Sequence, residues 1–199
     1  MKSIITISRQ SGSGGRTIAK QLAEELGYKC YDWEIIERVA AETGFDTQYV
    51  AKCCENTQTT SNFWYAVEQG NFPYYGGNFS PNDEIMKTMR ELIEKLANEG
   101  NCVFVGRAAD YILRDRKDAL HVFIYADAEY RADRIINRYK EEVKDIFKEI
   151  KDRDKKRKMF YSNYTGREWG AMSNYSLSLN GSDLDVNTCV GIIKMAMGK

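Results

Sequence analysis

The segment that most constrains this chain is Ile4-Ile5-Thr6-Ile7-Ser8-Arg9-Gln10-Ser11-Gly12-Ser13-Gly14-Gly15-Arg16-Thr17, where an apolar run of β type enters a glycine cluster and leaves as an amphipathic helix. Glycines let a backbone turn tightly and point successive N–H groups into one concavity, and a following helix adds the positive end of its dipole. A strand, a phosphate-cradling loop and a helix are the expected result. Against the pattern G-x-x-x-x-G-K-[ST], Gly15 and Thr17 fit, Gln10 stands at the first glycine and Arg16 replaces the lysine. Arg16 would supply positive charge there, and Thr17 a hydroxyl for Mg²⁺. The same stretch also reads as G-x-G-x-x-T, with Asp32 at about the ~20-residue distance of a ribose-binding acid, as in a dinucleotide fold. That alternative puts β-branched Thr17 where a glycine should allow close helix packing, whereas a phosphate loop needs the hydroxyl.

At 199 residues the chain can bury one substantial core, so a single domain over residues 1–199 with an insertion is expected. Twenty-nine basic residues balance twenty-nine acidic ones, which leaves no global field to gather nucleic acid or an anionic membrane. Any anion site must be local. The first apolar run turns polar at Ser8-Arg9-Gln10, too early for a signal peptide, and no later stretch is long enough to span a bilayer; a cytoplasmic protein is expected. Cys30, Cys53, Cys54, Cys102 and Cys189 are odd in number and lack C-x-x-C spacing, which disfavours a disulfide framework and a zinc site. His121, the only histidine, begins an apolar strand and reads as packed, so chemistry needing a histidine base or histidine metal cluster is disfavoured.

After the loop, Ile18, Leu22, Ala23 and Leu26 share a helical face, and Gly27 suits a helix stop. A short strand at Lys29–Tyr31 ends at Asp32, followed by helical spacing up to Gly44 and a short helix over Asp46–Glu55. Residues 56–81 lose periodicity and gather Phe63, Trp64, Tyr65, Phe72, Tyr74, Tyr75 and Phe79, an aromatic insertion suited to acceptor recognition, a homodimer contact or local packing. Ser80-Pro81-Asn82-Asp83 opens a helix that runs to Ala97. Strands are expected at Cys102–Val105, His121–Tyr125 and Tyr175–Leu179, with helices around 108–114, from Ala128 to about Phe160, and from Val186 to Met197. Alternation of this kind predicts a three-layer α/β fold with a parallel sheet of about five strands and ligand at the strands' carboxyl ends, where Arg9–Gly15, Asp32, Gly106-Arg107 and Asp127 fall.

Phosphoryl transfer needs arginines from several places to shield the moving charge. Arg107 ends a core strand; Arg134 and Arg138 share a helix face; Arg153, Asp154 and Arg157 form an i, i+1, i+4 set. Residues 151–170 join paired basic residues to Tyr164-Thr165-Gly166, a glycine hinge suited to a lid. Together with Ile7-Ser8-Arg9-Gln10, Gly12-Ser13-Gly14-Gly15-Arg16, Tyr31-Asp32, Val105-Gly106-Arg107-Ala108-Ala109, Arg153-Asp154-Lys155-Lys156-Arg157 and Tyr175-Ser176-Leu177-Ser178-Leu179-Asn180, these segments resemble the cytidylate kinase-like proteins, relatives of the P-loop nucleoside monophosphate kinases. The resemblance covers nearly the whole chain and keeps motif order. It implies a P-loop NTPase fold with an NMP-binding-type insertion and a helical LID at about 141–170. It also implies donor phosphates on Gly12, Ser13, Gly14, Gly15, Arg16 and Thr17, an acceptor on Asp32 and Arg107, and Arg153, Asp154 and Arg157 in the LID. Authentic cytidylate kinases carry a lysine where Arg16 stands and an aspartate where Val105 stands.

The expected activity is in-line transfer of the ATP γ-phosphoryl group to a nucleoside monophosphate or similar small phosphorylated acceptor, with Mg²⁺ on Thr17 and with Arg16, Arg107, Arg153 and Arg157 stabilising the transition state. Asp154 joins Asp32 and Arg107 on the substrate side. Two alternatives stay open: a small-molecule hydroxyl kinase with Asp32 as base, and a catalytically silent nucleotide-binding regulator.

Overall fold

The computed structural model describes residues 2–54 and 80–198. The aromatic insertion, apart from Ser80 and Pro81, lies outside the described residues. Five strands, β1 (Ile4–Arg9), β2 (Lys29–Tyr31), β3 (Cys102–Val105), β4 (Ala119–Tyr125) and β5 (Leu177–Asn180), form one sheet in the order β2-β3-β1-β4-β5, and every pairing is parallel. The alternating strands and helices therefore do build the expected five-stranded parallel α/β sheet.

β1 is the middle strand. Ile4–Ile7 pairs with Cys102–Val105 on one side, and Ile4–Arg9 with Ala119–Ile124 on the other. A strand covered on both faces reads as a continuous apolar run, as Ile4-Ile5-Thr6-Ile7 does. Its side chains alternate between two cores. Ile4 joins the core beneath α2 (Glu34–Thr43), α4 (Pro81–Glu99) and the end of α7 (Ile146–Thr165), together with Phe104, Met89, Phe160 and Tyr164. Ile5 and Ile7 join the core beneath α1 (Gly15–Leu26) and α8 (Val186–Ala196), with Leu22, Val122, Val190 and Ile193. Helices on both faces make three layers.

Local signals set the helix ends. Asp46 accepts hydrogen bonds from the Gln48 and Tyr49 N–H groups to start α3 (Thr47–Cys53), Ser80 caps α4 with Pro81 in its first turn, and Asp185 accepts from Thr188 N–H at the start of α8. Gly27 and Gly44 end α1 and α2 in the left-handed conformation. A four-residue helix, α5 (Ala109–Ile112), follows β3. None of the five cysteines is in a disulfide, and Cys102 and Cys189 lie in the cores. Among the described residues no helix is long and apolar enough to cross a membrane.

One expectation needs correction. The charge-rich stretch from Ala128 to about Phe160 is not one helix. It is α6 (Ala128–Asp133), a π-helical turn (Arg134–Arg138), an irregular stretch with Lys140 at φ +58°, and α7, restarted where Asp145 accepts from the Lys148 N–H at 3.1 Å. Residues 139–145 contain neither glycine nor proline, so nothing in the charge pattern marks the break.

Candidate functional site

The loop after β1 turns tightly, and its glycines cannot be replaced without strain. Gly12 and Gly14 sit at φ +78° and +91°, and a Cβ on Gly12 would lie 2.6 Å from the Arg131 carbonyl oxygen. Gly14 is the N-cap of α1, and no side chain caps that helix, so the helix end stays open to an anion. Ser13 faces inward: its hydroxyl donates toward the carbonyls of Gln10, at 2.9 Å, and Ile124, at 3.1 Å, fastening the loop to β4. Its contribution to a ligand is therefore confined to its backbone.

Two cavities flank this loop. The larger, about 820 Å³, is lined by Gly12, Gly14–Thr17, Arg9, Tyr139, Arg153 and Arg157, among others. The smaller, about 30 Å³, lies between Ser8, Arg9, Gly106, Arg107, Arg157 and Trp169. Of the residues singled out in the sequence, Gly12, Gly14–Thr17, Arg153 and Arg157 meet at the first cavity, and Arg107 meets Arg157 at the second. Asp32 reaches the group through ion pairs, 2.6 Å from Arg16 Nε and 3.5 Å from Arg9 Nη2.

Arg107 is held on strained backbone. Gly106, Arg107 and Ala108 have φ of +74°, +57° and +50°, three successive residues in a region that side chains disfavour and that clusters at functional sites. Its Nε is buried without a hydrogen-bond partner. Arg157 donates to the Arg9 carbonyl at 3.0 Å and lies 3.6 Å from Asp154. Asp154 accepts from the Ser11 N–H at 2.8 Å and pairs with Arg131, so a carboxylate occupies one of the loop's own donors. Arg153 is bound at 2.7 Å by both Glu141 and Glu149. Burial first, and the Arg157 guanidinium second, bring the Arg9 pKa well below the usual arginine range; burial likewise lowers that of Arg157, with Asp154 opposing.

Arg134 gave a weak signal in the sequence and has a central place in the structure. The π-helical turn brings it to 5% exposure, with Nη2 donating to the Thr17 hydroxyl at 3.1 Å and the guanidinium centred 3.4 Å from where a Gly14 Cβ would stand. The rings of Tyr130 and Tyr139 flank it at 5.6 and 5.7 Å. Its spacing from Arg131, three residues along the same helical stretch after Asp127, was the available clue. Ser8, Asp110 and Tyr161 form a second unanticipated group: Asp110, 3% exposed, accepts from Ser8 at 3.1 Å and from the Tyr161 hydroxyl at 2.7 Å. Buried Val105 occupies the position before Gly106-Arg107.

Residues 4–183 match the model of the cytidylate kinase-like family. The chain belongs to that family. It is 26% identical over 197 residues to the cytidylate kinase of Pyrococcus horikoshii, covering 98% of this chain and 88% of that one. With the cytidylate kinase of Methanopyrus kandleri it shares 27% over 203 residues, covering 98% and 92%. Among solved structures, an uncharacterized protein from Eubacterium ventriosum superposes with a TM-score of 0.73 at 24% identity over 100% of this chain and 99% of that one. The shikimate kinase of Acinetobacter baumannii, solved with shikimate, gives 0.53 at 14% identity over 99% and 93%. Both likenesses speak for the fold, a P-loop kinase architecture with the sheet order found here.

Proposed function

We propose that this family member is an ATP-dependent phosphotransferase that moves the γ-phosphoryl group onto a nucleoside monophosphate or similar phosphorylated acceptor. What carries the reading is that Arg9, Arg16, Arg107 and Arg157, from four separate segments, gather around an uncapped glycine loop, with Asp32 beside Arg9 and Arg16 and Asp154 beside Arg157. Such an excess of guanidinium groups suits a ligand carrying several negative charges.

In this reading the loop N–H groups from Gly12 to Thr17 hold the donor phosphates, Arg16 fixes Asp32 on the acceptor side, and Arg107 clamps the acceptor's phosphate through its free Nε. Arg153 and Arg157 approach from α7. The bond from the γ-phosphorus to the β,γ-bridging oxygen breaks as the bond to an acceptor phosphate oxygen forms, and the electron pair leaves with ADP. That acceptor oxygen is already ionised, so no strong base is required. An alcohol acceptor would require one, and the Asp32 carboxylate is already engaged in ion pairs with Arg16 and Arg9; this favours the phosphorylated acceptor.

Mg²⁺ would supply further charge neutralisation with ATP. The residues do not fit a metal held by the protein in this arrangement, because the Thr17 hydroxyl receives the Arg134 guanidinium and no cluster of three metal-ligating side chains occurs among the described residues. Any divalent ion would arrive on the nucleotide.

Release of ADP from ATP, measured with CMP, dCMP, UMP, AMP and GMP in turn, tests the reading. We expect at least one of them to stimulate release, and Arg107→Ala to raise its KM about tenfold or more with the KM for ATP nearly unchanged. Normal ATP binding without stimulation by any phosphorylated acceptor would favour the silent regulator instead.

A further inference from the structure

Counting from the helix start moves the loop's register back by one residue from that read off the sequence pattern, in which Gln10 stands at the first glycine and Arg16 at the lysine, and puts Arg9 and Gly15 in each other's usual places. In the pattern G-x-x-x-x-G-K-[ST] the first glycine follows the strand and the lysine, six residues on, reaches over the phosphates as the helix begins. Here α1 begins at Gly15 behind its N-cap Gly14, so counting back from the helix puts Gly15 at the lysine's position and Arg9, the last residue of β1, at the first glycine's. The geometry agrees with that register. A Cβ built on Gly15 would stand 2.6 Å from the Arg9 Cβ and 3.0 Å from its Cγ. Arg9 therefore fills the space into which a side chain at position 15 would grow.

A second glycine clears the rest of its path. A Cβ on Gly106, at the end of β3, would collide with Arg9 Nη1 and lie 3.1 Å from Arg9 Cζ. The side chain thus runs from the phosphate loop to the strand end that carries Arg107, between glycines on two separate elements. It borders both cavities, as Arg157 does, and so stands where donor and acceptor sites adjoin. Asp32, at 3.5 Å, is its carboxylate neighbour, while Arg157, Arg107 and Arg16 oppose its charge. A buried cation surrounded by cations is costly unless an anion joins it.

We infer that Arg9 is the cation of this phosphate loop, performing from the first-glycine position the task ordinarily given to the loop lysine and gripping the donor's terminal phosphoryl oxygens at the junction of the two cavities. This rests on the phosphotransferase reading and assigns within it a residue that Arg16, drawn away to Asp32, does not replace. A guanidinium can hold two phosphoryl oxygens at once, where an ammonium acts as a point charge.

The exchange of positions can be reversed, which gives the test. Arg9→Gly, Arg9→Gln, Gly15→Lys and the double variant Arg9→Gly/Gly15→Lys are compared with the wild type for calorimetric binding of Mg·ATP and of inorganic tripolyphosphate, with thermal melting as the control for folding. We expect both Arg9 variants to bind each probe about tenfold or more weakly while still melting cooperatively. Gly15→Lys alone should bind weakly and melt lower, because its Cβ meets Arg9. The double variant should recover binding to within about threefold of the wild type, the loop having regained a cation with room for it. Wild-type binding in Arg9→Gln, or a folded double variant no better than Arg9→Gly, would overturn the inference while leaving phosphoryl transfer standing. Failure of the wild type to bind either probe would overturn both.

Discussion

His121 illustrates how one residue's surroundings set a measurable property. The ring sits in β4 with Nδ1 2.9 Å from the Thr6 hydroxyl, and burial, with a smaller push from Lys2, lowers its pKa to about 4. The folded value lies below the unfolded one near 6.5, so the unfolded chain takes up the proton first as pH falls. The stability that neutral His121 allows is complete above about pH 6.5 and drains away toward pH 4, by on the order of 2–3 kcal/mol. Urea midpoints should therefore drop between pH 6.5 and 4.5 in the wild type and be flatter in His121→Gln. Because the chain has one histidine, its ring resonances can be followed directly by NMR, and titration near pH 6.5 would refute the shift. Its packed position was legible from the apolar run around it. So were Gly12, Gly14, Asp32 and Arg107, which follow strands and announce themselves by type and place. Arg9, at a strand's carboxyl end, and Arg134, on a helix face with Arg138, were also among the candidates, but their contacts were not legible, because these depend on voids at Gly15 and Gly106 and on a π-helical turn, neither of which has a periodic signature.

Helices show the same division between local and long-range information. Those with an apolar stripe and a clear start were predictable: α4 begins where Ser80-Pro81 places it, and α8 begins at Val186 as expected, with Asp185 as its cap. α7 was harder to delimit, since its solvent-facing charges continue those of α6 and its burial is confined largely to one end. Its middle carries Asp154 and Arg157 onto the glycine loop, whereas Phe160, Tyr161 and Tyr164 are sealed in the core and Tyr161 donates to buried Asp110. A lid moving all of residues 141–170 as one body would have to expose those three rings, at a cost of several kcal/mol. We expect closure to involve only the part before Phe160. Hydrogen exchange with and without Mg·ATP should change protection in residues 146–157 and leave residues 161–165 equally protected. Nucleotide-dependent exchange throughout 161–165 would instead favour motion of the whole segment.

For the whole molecule, the sheet order brings together what the sequence keeps apart. With β1 between β3 and β4, the ends of β1 and β3 lie side by side, and α1 and α7 supply Arg16 and Arg157 from either side of that edge. Opposite charges balance over the chain, yet this edge concentrates guanidinium groups, one of which, Arg107, has an unpartnered buried nitrogen. A protein built this way should be stabilised by anions that reach that edge, because the folded state binds them and the unfolded chain does not. At a tripolyphosphate concentration of about 100 times Kd the gain is roughly 2.7 kcal/mol, which for a domain of this size corresponds to about 5–10 °C in melting midpoint. Cytidine and adenosine, which lack phosphate, should produce little shift, and raising salt should erode the polyphosphate effect by screening. A shift from the nucleosides as large as that from tripolyphosphate would mean that base contacts, rather than the clustered arginines, dominate recognition.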